Sequence, residues 1–163
     1  MTETFDPTPY QDAETIQRVL NAAKTIAIVG LSKKELRASY FVGFYLRRHG
    51  YTVVPVNPRE PEILGQKCYP TLGDVPGQID IVNVFRAPDA LPAIAREAVA
   101  AGAGNLWCQF GVVNEEGARI AEEGGVSVVM DRCIKVEHAR YVGRMHWLGF
   151  NTQRITSVRG PLQ

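Results

Sequence analysis

The chain has 163 residues, 45% of them apolar and 21% charged, and a formal net charge of +1. That length suits one domain with a core of its own and is short for two. A net charge so near zero excludes a global pull toward nucleic acid or an acidic surface, so any electrostatic recognition has to be local.

The lead from Met1 to Asp12 is polar and acidic, without the basic start and apolar centre of a signal peptide. No apolar run approaches the ~20 residues of a membrane helix. A cytoplasmic protein with no membrane or nucleic-acid partner is expected; a protein partner or homo-oligomer is left open. Cys68, Cys108 and Cys133 are far apart, odd in number and fit neither a disulfide framework nor zinc spacing, so they read as reduced thiols.

The first periodic segment is Ala13 to Ala23, with Ile16, Val19, Leu20 and Ala23 at helical spacing and Asp12 and Glu14 near its start; it predicts a helix over about 12–23. Thr25-Ile26-Ala27-Ile28-Val29 is an apolar, β-branched run that stops at Gly30 and predicts a buried strand. A short basic loop follows, then a helix from Ser39 to His49 that Gly50 ends. Tyr51 to Val56 is the second strand, stopped by Asn57-Pro58. Arg59 to Gly77 is the longest irregular connection, in which Lys67-Cys68-Tyr69-Pro70 offers a short extended piece.

Asp80 to Phe85 is the third strand. Pro88 then stands where a first helical turn belongs, a place that does not need its missing N–H. Leu91, Ile94, Ala95, Ala98 and Val99 give a helix over Ala90 to Ala101 that Gly102 stops. Asn105 to Cys108 is strand four, Gln109 to Val113 a loop, and Asn114 the N-cap of a helix over Glu115 to Glu123. Val126 to Met130 is strand five. The alternation predicts an α/β fold: a doubly wound, mostly parallel five-stranded sheet, helices on both faces and right-handed crossovers. The domain is expected to span residues 1–133. Residues 134–163 read as an extension, with Arg140 to Phe150 a short helix or an extended segment.

In such a sheet ligands bind outside the carboxyl ends of the strands, and the first strand-to-helix turn takes the anionic part of a nucleotide. The helix start leaves backbone N–H groups unpaired and carries partial positive charge. A dinucleotide is disfavoured. After Gly30 come Leu31, Ser32 and Lys33, so G-x-G-x-x-G fails at its second and third glycines, and strand two ends in Pro55-Val56-Asn57-Pro58 with no acid for a ribose. Cations stand at the expected strand ends instead: Lys33, Lys34 and Arg37, then Arg59, Arg86 and Arg132. Polarity there follows from exposure alone. The predominance of positive charge points further, to a ligand with several phosphates.

The ordered set Ile28-Val29-Gly30-Leu31-Ser32, Arg37-Ala38-Ser39-Tyr40, Val54-Pro55-Val56-Asn57-Pro58, Leu64-Gly65-Gln66, Val84-Phe85-Arg86, Leu106 to Val112 and Val129-Met130-Asp131-Arg132-Cys133 resembles the small stand-alone CoA-binding proteins. These are similar in turn to the CoA-binding domain of the succinyl-CoA synthetase α subunit. The resemblance implies a Rossmann-like domain holding coenzyme A, or an acyl-CoA, along the strand ends.

By that analogy Gly30, Leu31, Ser32 and Lys33 line the phosphate and ribose region, with Arg37, Ser39 and Tyr40 at the following helix start. Asn57 and Pro58 close strand two, and Arg59 stands in for a lysine of related proteins and pairs with a phosphate. Val84, Phe85, Arg86 and Pro88 form the wall for the adenine. Gln109 and Gly111 border the pantetheine arm, and Asp131, Arg132 and Cys133 its thiol end. For Phe85 a core role is the alternative, and for Arg86 a solvated surface position. Cys133, beside a cation, is the thiol placed to form a mixed disulfide with the ligand.

The synthetases that share this domain use a phosphorylated histidine in a further domain, for which this sequence shows no counterpart. His49, His138 and His146 adjoin no nucleophile and base pair, and Cys133, His138 and His146 make a weak metal set. The expectation is therefore a non-catalytic, metal-free CoA-binding module acting as carrier, sensor or regulator. The alternatives are an accessory of a multi-subunit acyl-CoA synthetase and, further off, an NAD(P)-binding redox protein.

Overall fold

This computed structural model describes residues 4–142. The five apolar runs form β1 (Thr25–Val29), β2 (Thr52–Val56), β5 (Ile81–Val84), β6 (Asn105–Cys108) and β7 (Ser127–Val129). They make one parallel sheet in the order β2-β1-β5-β6-β7. Val29 pairs with both Val56 and Val84, and Val84 with Cys108, so the carboxyl ends line up along one rim.

Helices α1 (Ala13–Ala22), α2 (Ala38–Arg48), α3 (Leu91–Ala100), α4 (Glu115–Glu123) and α5 (Ile134–Tyr141) cover both faces. Side-chain alternation along each strand decides which face is which. Ala27, Val29, Val82, Val84, Leu106 and Cys108 pack against α3 and α4. Ile26, Ile28, Ile81, Trp107 and Val129 pack against Ile16 and Leu20 of α1, Val42 and Leu46 of α2, and Ile134 and Tyr141 of α5. Both faces are dry, which is why the strands read as continuous apolar runs.

Local chemistry sets the helix starts. Asp12 caps α1 by accepting from Thr15 N at 3.0 Å, and Asn114 caps α4 by accepting from Gly117 N at 2.9 Å. Pro88 opens a 3-10 turn, Pro88–Ala90, that leads into α3. Helix α4 lies close against α3 at Gly117, where a Cβ would meet Leu91 Cγ at 2.6 Å. That close approach explains a glycine inside a helix.

The structure adds two features to the sequence reading. The connection after β2 holds a small antiparallel hairpin, β3 (Glu62–Ile63) with β4 (Gln66–Lys67), and Tyr69 bridges to Val56 in parallel. Beyond Cys133, where the periodic pattern weakens, the chain forms α5. Its Ile134, Glu137, His138 and Tyr141 are buried, so the packed body runs past the boundary expected at Cys133. His146 and the remainder of the segment from Arg140 to Phe150 beyond Val142 lie outside the described residues.

Candidate functional site

The connections from β1 and β5 leave the sheet in opposite directions, β1 toward β2 and β5 toward β6, and this opens a crevice at their carboxyl ends. Gly30 forms its floor. Its N–H donates to Val56 O at 3.1 Å, and next to it Phe85 N donates to Val29 O at 2.9 Å. Gly30 has φ +88°, and a Cβ there would lie 2.3 Å from the Phe85 carbonyl oxygen. Only glycine satisfies both the conformation and the space.

The loop that follows is fixed by its own polar groups. Leu31 is fully buried and its carbonyl accepts from Asn57 Nδ2 at 3.0 Å. Ser32 N donates to the buried Ser39 Oγ at 3.0 Å, and Lys34 N to Ser32 Oγ at 3.1 Å. Helix α2 then starts without a side-chain cap and without an acid in its first turn. Its first amides lie next to cationic Lys34 and Arg37, and the helix start carries partial positive charge. The resulting cleft, about 380 Å³, is lined by Gly30, Ser32, Lys34, Arg37, Ala38, Ser39 and Phe85. A helix start beside cations favours an anion.

Five of the residues expected from the sequence, Gly30, Ser32, Arg37, Ser39 and Phe85, thus meet in one cleft. Others are placed differently. Leu31 and Val84 have their side chains in the core, so only their backbone is left for the roles expected of them. Lys33 Nζ is 3.2 Å from Glu60 Oε1 and outside the cleft, whereas Lys34, counted among the strand-end cations but not among the residues the resemblance implied, lines it. Tyr40 is half-buried against the α2 side of the core.

Asn57 acts as a clamp: besides holding Leu31, its Oδ1 accepts from Arg59 N at 2.8 Å. Pro58, Arg59, Arg86 and Pro88 are exposed around the rim. The Arg86 Cδ is within 3.0 Å of where a Gly30 Cβ would stand, so this arginine runs beside the crevice floor.

Farther along the rim, beyond the ends of β6 and β7, a second cleft of about 270 Å³ is lined by Phe110, Asp131, Arg132, Cys133, Val136, Glu137 and Arg140. Gly111 N donates to Asp131 Oδ1 at 2.7 Å, and Asp131 itself has φ +60°. Gln109 is buried, its Oε1 accepting from Asn83 Nδ2 at 2.9 Å and from Ile134 N at 3.0 Å. Arg132 is held by Gln11 Oε1 at 2.9 Å, so the N-terminal lead helps build this end.

Cys133 is half-exposed at the N-cap of α5, whereas Cys68 and Cys108 are buried. Burial pushes the Cys108 thiol up to about 12. Glu137 is buried as well, and burial raises its carboxyl pKa against the opposing pull of Arg140, 3.7 Å away, and Arg132.

Adjacent strands are ~5 Å apart, so the two clefts are separated by roughly 10–15 Å along one rim. An elongated ligand with an anionic end fits that layout. A larger groove of about 470 Å³ lies against α4, but its Glu115, Glu116, Glu122 and Glu123 oppose an anion. His138 sits in neither cleft. Its Nδ1 is 2.9 Å from Tyr45 Oη, and burial, with His49 nearby, lowers its pKa to about 4. Among the described residues no group of three or more His, Cys, Asp or Glu is placed to hold a metal, and no helix is long and apolar enough to cross a membrane.

A family model described as "CoA binding domain" matches residues 24–139. The chain is 44% identical over 124 residues to the uncharacterized protein YneT of Bacillus subtilis, covering 76% of this chain and 92% of that one. A solved hypothetical protein from Pyrococcus horikoshii superposes with a TM-score of 0.81 at 38% identity, over 87% of this chain and all of the other. The ADP-forming acetate–CoA ligase II of Archaeoglobus fulgidus is 27% identical over 101 residues, 61% of this chain but 15% of the ligase.

Proposed function

We propose that this chain, which belongs to the CoA binding domain family, binds coenzyme A or an acyl-CoA along the carboxyl rim of its sheet and acts as a carrier, sensor or regulatory module rather than as a catalyst. The observation that carries this reading is the crevice floor: Gly30 packed onto the Phe85 carbonyl, beside an uncapped α2 with Lys34 and Arg37. A cradle that a Cβ would fill, edged by amides and cations, fits the phosphates of the coenzyme.

In this reading Phe85 and Arg86 flank the adenine, and Lys34 and Arg37 meet phosphates, with Arg59 exposed after β2 as a further cation. The pantetheine arm then runs past Gln109 and Gly111 toward Arg132 and Cys133.

Calorimetric titration with CoA, acetyl-CoA, NAD and ATP tests it. Saturable binding of CoA is expected; binding of NAD with no binding of CoA would overturn the reading. A second reading is favoured by the ligase similarity, in which this chain spans 15% of the ligase it matches. It makes the chain the CoA-holding accessory of separately encoded catalytic subunits. Co-purification with such a subunit separates the two.

A further inference from the structure

We infer that Asn83 is a positioning residue for the sulfur-bearing half of the ligand, acting through Gln109 on the turn that enters α5. This rests on the reading of the rim as a CoA site.

Asn83 sits in the middle of β5, in the core, with no exposure at all. A buried amide in a central strand needs a reason, since an apolar residue packs there at no polar cost. Its Nδ2 donates to Gln109 Oε1 at 2.9 Å and to Trp107 O at 3.3 Å, while its Oδ1 has no partner. Turning the amide over would set Oδ1 against two acceptor oxygens, so the donor side is fixed toward Gln109. That contact fixes the Gln109 amide in turn, leaving its Oε1 to accept Ile134 N at 3.0 Å.

The same turn is held at two further points. Trp107 Nε1 donates to Arg132 O at 2.8 Å, and Arg132 N to Cys108 O at 3.3 Å. Gln109, Trp107 and Cys108 thus tie the end of β6 to the Arg132-Cys133-Ile134 turn, of which Arg132 and Cys133 line the second cleft. None reaches the cleft at Gly30. Asn83 keeps an unpartnered carbonyl while one of its donors orients Gln109, the residue that holds the turn, so its contribution lies in that geometry rather than in apolar packing.

The test compares two ligands, CoA and adenosine 3′,5′-bisphosphate, the second lacking the pantetheine arm. For Asn83→Leu the dissociation constant for CoA is expected to rise about tenfold or more, while that for the bisphosphate stays within about twofold of the wild type, because the side-chain hydrogen bonds of Asn83 and Gln109 run to β6 and the α5 turn and not to the first cleft. Gln109→Met is expected to give the same split. The double variant should be no weaker than the worse single one by more than about threefold, because both act through one link.

If Asn83→Leu does not melt cooperatively, Asn83→Ala, which overfills nothing, takes its place in the same comparison. A folded Asn83 variant that binds CoA like the wild type, or that loses both ligands equally, overturns the inference. Absence of CoA binding by the wild type would overturn the reading of the rim itself, and this inference with it.

Discussion

Lys33 Nζ lies 3.2 Å from Glu60 Oε1, so two consecutive lysines of one loop have different partners: Lys33 reaches the segment after β2, and Lys34 lines the cleft beside Gly30. The Lys33 side chain is 62% exposed, so the pair adds little to stability. Its consequence is to hold Lys33 outside the cleft at Gly30. Lys34→Gln and Arg37→Gln should each weaken CoA binding by about 1.5–3 kcal/mol, the size of a charge-assisted contact. Lys33→Gln should change it by less than about 0.5 kcal/mol. Titrations of the three variants at one salt concentration check the order.

Gly30→Ala tests the crevice floor. The new methyl would meet the Phe85 carbonyl at 2.3 Å with φ at +88°, so strain and overpacking add. A loss of about 2–4 kcal/mol in urea unfolding is expected, together with loss of CoA binding in whatever protein remains folded. An alanine variant as stable as the wild type would mean that β1 and β5 are not this close.

His138 gives stability a pH dependence. With the folded pKa lowered to about 4 and the unfolded one at 6.5, the unfolded chain binds more protons between those values. The His138 share of stability is therefore whole above pH 6.5 and is lost as pH falls toward 4, up to about 3 kcal/mol at the low end. Glu137, with its carboxyl pKa raised, acts with the opposite sign from about its ordinary 4.5 upward. Comparing the wild type with His138→Gln at pH 7 and pH 5 isolates the histidine: the variant should show a smaller loss between the two.

Thiol labelling tests the far end of the rim. Of the three cysteines only Cys133 is not buried. It should react first with iodoacetamide in the native protein, with Cys68 and Cys108 reacting on unfolding. Saturating acetyl-CoA, whose sulfur is blocked and does not consume the reagent, should slow the Cys133 reaction several-fold. Equal protection of all three by acetyl-CoA would indicate global stabilisation instead.

Where the core is apolar, the elements were legible from the residues. β6 at Asn105–Cys108 and α4 at Glu115–Glu123 fall where the short apolar run and the Asn114 cap put them. Helix α5 was hidden because its buried positions, Ile134, Glu137, His138 and Tyr141, have helical spacing but include an acid and an imidazole that no apolar count registers. The β3–β4 hairpin was hidden because two-residue strands have no period to show.

In the site, Gly30, Ser32, Arg37, Ser39 and Phe85 could be expected from the motif order. The exchange of Lys34 for Lys33 could not, because which of two adjacent loop residues faces a cleft depends on backbone torsions and on Glu60, 27 residues on. Val84 and Phe85 show the value of strand alternation: being adjacent, they point to opposite faces, and only Phe85 reaches the crevice.

The most direct test of the account is amide hydrogen exchange with and without CoA. It predicts added protection over residues 30–39 and 85–86 at one end of the rim, and over 109–111 and 131–134 at the other. Protection confined to the acidic groove along Glu115–Glu123, or no change at the Gly30 turn, would contradict it.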